Sequence, residues 1–319
     1  MQLVPDNNLN FFFSGTMGRS GWEEERLAEN MQCRLCSCHG NYIKHAQSWA
    51  KLASRPDNQI RYFMMDSGGF TAWKSGHSVH VSDLIASYHS VLDLLDTSKV
   101  KPFLINLDTI PGKFGEVATK EQVSQAIAES DKNYEILTNE FGNKELPVFH
   151  QGESEARLKE VLAQSKYICA SPQNGLAEWT RVKWSEEVHK KISRDWRTHG
   201  LATTGATMMS RVPWWSVDSA AFLFSGAMGK VDVLKDGNWV SINISVESPD
   251  RYNEGKHYDN ASQALRDVID ERAAYHGLDV QKLRTDHMSR KLLNGLEIQE
   301  WLKTFKFVEP DFQPSLFDL

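Results

Sequence analysis

Apolar runs, each about a strand long, recur along the first two thirds of the chain, and most are followed by a stretch with apolar positions at helical spacing. The runs are NFFFSGT (10–16), RLCSCHG (34–40), RYFMMD (61–66), KPFLINLD (101–108), LPVFHQG (146–152), KYICAS (166–171), RTHGLATTG (197–205) and PWWSVDS (213–219). Helical patterns are expected over 20–31, 41–53, 81–96, 119–141, 153–164 and 184–196, with a short turn of helix around Met208 and Met209. In the third of these, Ile85, Tyr88, Leu92 and Leu95 share one face. Eight strands alternating with helices predict an α/β fold of the (β/α)8 TIM-barrel type, whose strand C-termini converge on one face. The main alternative is an open doubly wound sheet. It requires a glycine-rich phosphate loop after the first strand, and GTMGRSG (15–21) matches that spacing poorly.

Beyond about residue 225 the pattern changes. KVDVLKDGNWVSINIS (230–245) reads as two alternating runs about Asp236-Gly237, a hairpin signature. From Asn260 onward the periodicity is helical, in ASQALRDVIDERAAYHG and then SRKLLNGLEIQEWLKTF. A barrel over 1–225 and a hairpin-plus-helices appendage over 226–319, packed on the barrel, are therefore expected. No low-complexity linker separates them.

Composition narrows the classes. No run approaches the roughly 18 apolar residues of a membrane span, and the start MQLVPDNNLN lacks the pattern of a secretory signal, so no membrane association and a cytoplasmic location are expected. For a phage-encoded protein that location is the host cytoplasm. A formal charge of −6 argues against adhesion to nucleic acid over the whole surface but leaves room for a local basic patch. Of four cysteines, Cys33, Cys36 and Cys38 crowd one predicted strand beside His39 and Cys169 stands apart, which suits reduced packing thiols. A zinc site usually draws ligands from two separated pairs, and alternate residues of a strand point to opposite faces, so no metal is expected from CRLCSCH.

Nearly every run stops on a polar residue or glycine. In a barrel, His39, Asp66, Asp108, Gln151, Ser171 and Asp218 become neighbours. Carboxylates at strand ends are costly to bury unless something uses them. Asp66, Asp108 and Asp218 can serve as nucleophile, general acid/base and anchor for N–H groups. Two carboxylates flanking a sugar carbon suit a double displacement that retains configuration. A flat heterocycle also needs an aromatic face, backbone N–H groups and an amide, which Phe70, Gly68-Gly69, Gln151 and Gly152 can supply.

In sequence order, DSGGF (66–70), LINLD (104–108), VFHQGE (148–153) and WWSVDS (214–219) resemble the active-site segments of the queuine/archaeosine tRNA-guanine transglycosylase superfamily. The resemblance covers about residues 10 to 222 and is most specific at DSGGF. The compact form is most similar to the phage-type enzymes that insert 7-deazaguanine bases into DNA. The resemblance implies Asp218 as the nucleophile on C1′ and Asp66 as the general acid and base. It further implies Asp108 as the acceptor for N1–H and the exocyclic amine of guanine, with Gln151 and Gly152 on the O6 side. Ser67 and the backbone of Ala170 and Ser171 are to hold the ring edge, and Phe70 is to stack on it. The implied partners are guanine-containing DNA and a 7-deazaguanine base such as preQ0 or a derivative, with base flipping and no cofactor. The resemblance raises a homodimer as a further expectation.

One departure bears on the polymer. The tRNA enzymes carry a Cys-x-Cys-x-x-Cys zinc cluster with a later histidine downstream of the nucleophile, and here no cysteine follows Cys169. That favours DNA over tRNA. Arg211 and Lys183, with Lys230 and Arg251, are candidates for gripping phosphates along the rim, and Trp214-Trp215 reads as barrel wall. The ending QPSLFDL (313–319) resembles short peptides that dock on replication sliding clamps, a tether that would raise local concentration on new DNA. The alternatives are the same exchange on tRNA, a non-catalytic nucleic-acid-binding homologue, and a plain glycoside hydrolase, in which DSGGF has no role.

Overall fold

The computed structural model describes residues 9–17, 21–112, 116, 118–142, 144–173, 175–193, 195–203, 205–253 and 255–307. Nine parallel strands make one sheet: β1 (Asn10–Phe13), β2 (Cys33–Ser37), β3 (Tyr62–Asp66), β4 (Lys101–Ile105), β5 (Glu145–Leu146), β6 (Val148–His150), β7 (Tyr167–Ser171), β8 (Arg197–Gly200) and β9 (Ser216–Ser219). β1 lies between β2 and β9, and the two ends of the order are β5 and β6. These two are halves of one extended stretch parted by Pro147, which has no N–H to give a ladder. β5 pairs with β4 and β6 with β7, and the Pro147 carbonyl accepts from Cys169 N–H (2.8 Å), so the split strand joins the two sides of a (β/α)8 barrel.

Helices α1 (Trp22–Ala28), α2 (Ile43–Ala53), α3 (Gly69–Lys74), α4 (Val81–Leu92), α5 (Lys120–Phe141), α6 (Glu155–Gln164), α7 (Glu178–Lys191), α8 (Ala206–Arg211) and α9 (Ala221–Ala227) fill the connections. α5 spans its periodic stretch, opened by a capping box between Thr119 and Gln122. α7 starts six residues before the stretch read as helical, and α3 and α9 are additions to the predicted set. In α4 the buried side chains are Leu84, Tyr88 and Val91, with Ile85 and Leu92 partly buried beside them.

Two apolar layers follow from strand alternation. Phe12, Cys33, Leu35, Met64, Phe103, Ile105, Leu146, Val148, Tyr167 and Cys169 fill the barrel, above a floor where Trp215 meets Tyr62, Phe103 and Tyr167. Phe11, Phe13, Cys36, Phe63, Met65, Leu104, Ala170 and Val217 point outward onto the helices. Cys33 thus faces the interior while Cys36 and Cys38 face outward; all four cysteines are free and buried, with thiol pKa values raised by burial. Among the described residues no group of three or more His, Cys, Asp or Glu is arranged to hold a metal ion.

The hairpin of β10 (Lys230–Lys235) and β11 (Asn238–Asn243) turns at Asp236 and Gly237, both at positive φ. α10 (Gln263–Tyr275), α11 (Val280–Thr285) and α12 (His287–Thr304) follow. The 225/226 boundary falls inside α9. α12 packs against α1 and α9, with Met288, Leu292 and Leu296 in the same apolar cluster as Leu27, Phe222 and Leu223. Gly295 permits this approach, since a Cβ there would stand 2.7 Å from Leu27. Lys291 Nζ donates to the Met17 carbonyl (3.0 Å) and Gln299 Nε2 to the Leu27 carbonyl (2.7 Å). Appendage and barrel therefore share buried contacts. No helix among the described residues is long and apolar enough to cross a membrane.

Candidate active site

Several inward-facing rows end in polar groups at the strand C-termini. On β3, Met64 is interior and Asp66 lies two positions on; on β6, Val148 leads to His150; on β7, Cys169 leads to Ser171; on β9, Ser216 leads to Asp218. Parallel register sets Ser37 beside Asp66, His150 beside Ser171, and Phe12 beside Asp218. An apolar floor under a polar mouth results.

Asp66 is the electrostatic centre. Burial first, then the charges of Asp218 and Asp108, push its pKa up to about 7, against the opposing hydrogen bonds from Gly68 N–H (3.2 Å) and Ser37. The three predicted carboxylates thus act on one another in one mouth. A carboxyl group poised near neutrality can both give and take a proton.

Asp108 is not on a strand. β4 stops at Ile105, and the chain beyond it is held by α5: Asn106 Nδ2 donates to the Ser130 carbonyl (3.0 Å), Thr109 N–H to Ser130 Oγ (2.8 Å), and Asn133 Nδ2 to the Leu107 carbonyl (2.9 Å). Asp108 Oδ2 is bonded to His150 Nε2 at 2.8 Å. Burial lowers the imidazole pKa, but the hydrogen bond and charge of Asp108, with Glu153, outweigh it, so His150 lies above its usual value. The pair leaves Asp108 Oδ1 without a hydrogen bond among the described residues, within 3.6 Å of the position a Cβ would take on Gly69.

Asp218 Oδ1 accepts from Ala202 N–H (2.8 Å) and stands 3.4 Å from His199 Nε2. Ala202 is one of two non-glycine residues at positive φ among the described residues, which turns its N–H toward the carboxylate. Asp218 Oδ2 accepts no hydrogen bond among the described residues.

The remaining predicted residues divide by placement. Ser67 is buried, and its Oγ accepts from Gly69 N–H (3.4 Å). Gly68 has φ +77°, and a Cβ there would overlap the His39 side chain, so DSGGF closes over His39 only with glycine at 68. Gly69 opens α3, and Phe70, 43% exposed, lies beside Trp73 at the surface. Gln151 Oε1 accepts from Gln173 N–H (2.9 Å) and Gln151 N–H donates to the Ser171 carbonyl (3.0 Å), which joins the loop expected on the O6 side to the one expected to hold the ring edge. Gly152, at φ +104°, faces open space. The Ala170 side chain points outward into the helix layer and its carbonyl accepts from Leu201 N–H (3.0 Å), so that carbonyl already serves the ladder with β8. Beside Gly69 and Asp108 opens a cavity of about 480 Å³, lined also by Trp73, His80, Lys132 and Asn133.

Arg211 and Lys183 lie together on α8 and α7. Trp179 is 48% exposed, with the Arg211 guanidinium 4.9 Å and the Lys183 ammonium 5.9 Å from its ring. Arg211 also pairs with Glu186 (3.0 Å), while Arg251 is engaged by Asp259 (2.9 Å). Residues 313–319, read as a clamp-binding tail, lie outside the described residues.

His150 and His199 are the site residues that sequence reasoning passed over. Both carry the same signal as Asp66 and Asp218, a polar residue facing inward near the end of a strand. Fold and site together define a (β/α)8 barrel with an acidic mouth. No protein-family model matches the chain, and no curated protein matches it.

Proposed function

We propose that the protein is a pentosyltransferase that exchanges guanine in DNA for a 7-deazaguanine base, preQ0 or a derivative, by a retaining double displacement. The observation that carries the reading is the convergence of Asp66, Asp108 and Asp218, with Asp66 raised to about 7 by burial first and then by the charges of the other two. A carboxylate oxygen of Asp218 attacks C1′; the C1′–N9 bond breaks, and its electron pair leaves with the purine, which takes the proton of Asp66. In the second half, Asp66 accepts the N9 proton of the incoming base, N9 attacks C1′, and the Asp218 carboxylate departs. Asp108, steadied by His150, takes the N1–H and exocyclic N–H of guanine through its other oxygen. Phe70 offers an exposed ring at the rim, and Trp179 with Arg211 and Lys183 offers a stacking and phosphate-binding patch. The target base must leave the helix to enter the mouth.

The test offers the protein labelled DNA or tRNA, with and without 7-deazaguanine, and reads base release, nucleoside mass and denaturant-stable protein–polynucleotide adducts. Exchange into DNA with an adduct lost in Asp218→Asn is the expected result. Exchange confined to tRNA reassigns the polymer. Exchange persisting in Asp218→Asn refutes the mechanism, and no exchange or adduct with either polymer refutes the activity.

A further inference from the structure

Beneath Asp218, inside the barrel, lies a polar chain in an otherwise apolar interior. The Tyr167 hydroxyl is 2.6 Å from Ser216 Oγ, Ser216 Oγ is 2.7 Å from His199 Nδ1, and His199 Nε2 is 3.4 Å from Asp218 Oδ1. His199 and Ser216 are 0% exposed and Tyr167 is buried. His199 Nε2 has no hydrogen-bond partner among the described residues, and the charged oxygen beside it is Asp218 Oδ1, 3.4 Å away and out of line for a hydrogen bond in this arrangement.

Proton counting fixes the direction. Tyr167 has one hydroxyl proton, and Ser216 Oγ is its sole hydrogen-bond partner among the described residues. If Tyr167 donates to Ser216, then Ser216 spends its own proton on His199 Nδ1, and the imidazole carries its proton on Nε2, facing the carboxylate. In the reverse arrangement the Tyr167 proton has no acceptor and an imidazole lone pair faces an anionic oxygen. A buried unpaired donor costs about 1–3 kcal/mol, and the lone-pair contact adds repulsion. Burial holds the phenol pKa well above its ordinary value, so Tyr167 keeps the proton that starts the relay.

We infer that His199 is a positioning residue for Asp218: the Tyr167–Ser216 relay holds it as the Nε2–H tautomer, and its N–H, with that of Ala202, fixes Oδ1 and leaves Oδ2 for attack. The inference rests on the proposed role of Asp218. An N–H bonds a carboxylate more strongly than an ester. The relay therefore favours the states in which Asp218 is free, and it assists departure of the carboxylate in the second half of the exchange.

Two measurements test it. The first is independent of activity. In the ¹⁵N-histidine spectrum of the intact protein, with the signal assigned by its disappearance in His199→Gln, His199 shows the neutral Nε2–H tautomer, and Tyr167→Phe shifts it toward a mixture with Nδ1–H. An Nδ1–H tautomer or an imidazolium in the unaltered protein at pH 7.5 (roughly one unit above the ordinary histidine value) overturns the inference, as does indifference to Tyr167→Phe. The second is kinetic. His199→Leu lowers kcat at least about tenfold with KM for DNA unchanged and lengthens the lifetime of the covalent adduct, while His199→Gln, which keeps an N–H at the Nε2 position, recovers most of the rate. Equal losses in Leu and Gln variants, or a shift confined to KM, overturn the positioning role. Absence of base exchange in the unaltered protein defeats the proposed function, and the tautomer measurement still judges the relay.

Discussion

Replacing Asp66 by Asn removes an ionisable group while keeping acceptors for the Gly68 N–H and Ser37 bonds. The folded-state pKa of about 7 compares with an ordinary value of 3.8. Between those values the folded protein binds more protons than the unfolded chain, so stability falls as pH rises, and the loss is complete above about pH 8. At about 1.4 kcal/mol per pH unit the full displacement corresponds to about 4 kcal/mol. Asp66 is partly reached by solvent, which screens the repulsion from Asp108 and Asp218, so a gain of about 2–4 kcal/mol for Asp66→Asn at pH 8 is expected. Urea melts of both proteins at several pH values between 4 and 8 (the range flanking roughly the two pKa values) measure it. The gain is expected to shrink steadily toward pH 4 while base exchange is lost throughout. A variant less stable than the parent at pH 8, or a difference that ignores pH, refutes the convergence of the three carboxylates. The gain follows from a mouth in which like charges are held together at a cost in stability.

Gly68→Ala combines a positive φ with overlap on His39, so a loss of about 2 kcal/mol or more is expected in urea melts, and His39→Gly in the same chain, which removes the Cβ that the new methyl strikes, relieves only the steric part. Glu145, on β5, is buried, and burial pushes its pKa up to about 7 against the opposing pull of the nearby backbone N–H groups of Glu145 and Lys144 and of the Lys144 charge. Its raised value makes the parent lose stability from about pH 4.5 to 7. Glu145→Gln is therefore expected to raise Tm at pH 8 and to show little difference at pH 4, as calorimetry would record. Arg211→Glu places a second acid beside Glu186 and removes the cation over Trp179; DNA affinity should drop and the slope of log Kd against log salt should flatten by about one. Unchanged affinity at low and high salt would separate this patch from the polynucleotide.

The barrel was legible because its strands follow two local rules, an apolar run and a polar stop, and local rules survive in one dimension. The runs at 61–66 and 166–171 match β3 and β7 to within a residue. α3 was less legible: it starts at Gly69, directly after a left-handed Gly68, and a Gly-Gly pair reads as a turn in any propensity scheme. α9, AFLFSGA, was hidden for a different reason. It is short, with Phe222 and Leu223 buried and Phe224 68% exposed, so its apolar residues form no stripe.

Asp108 marks the limit of reading from strand ends. KPFLINLD looks like one strand, yet the strand stops at Ile105; beyond it Asn106 and Leu107 are held through Ser130 and Asn133 of α5, and Asp108 is held by His150. The sequence by itself determined the eightfold alternation, the two-residue steps that carry Met64 to Asp66 and Ser216 to Asp218, and the glycine pair that follows Asp66. Closure through a strand split at Pro147, the His150–Asp108 pair across 42 residues, the histidine under Asp218 and the raised proton affinity of Asp66 were decided by tertiary structure alone. Side-chain period is a property of neighbouring peptide units, whereas hydrogen bonds and charge–charge terms depend on distances that exist only once the barrel has closed.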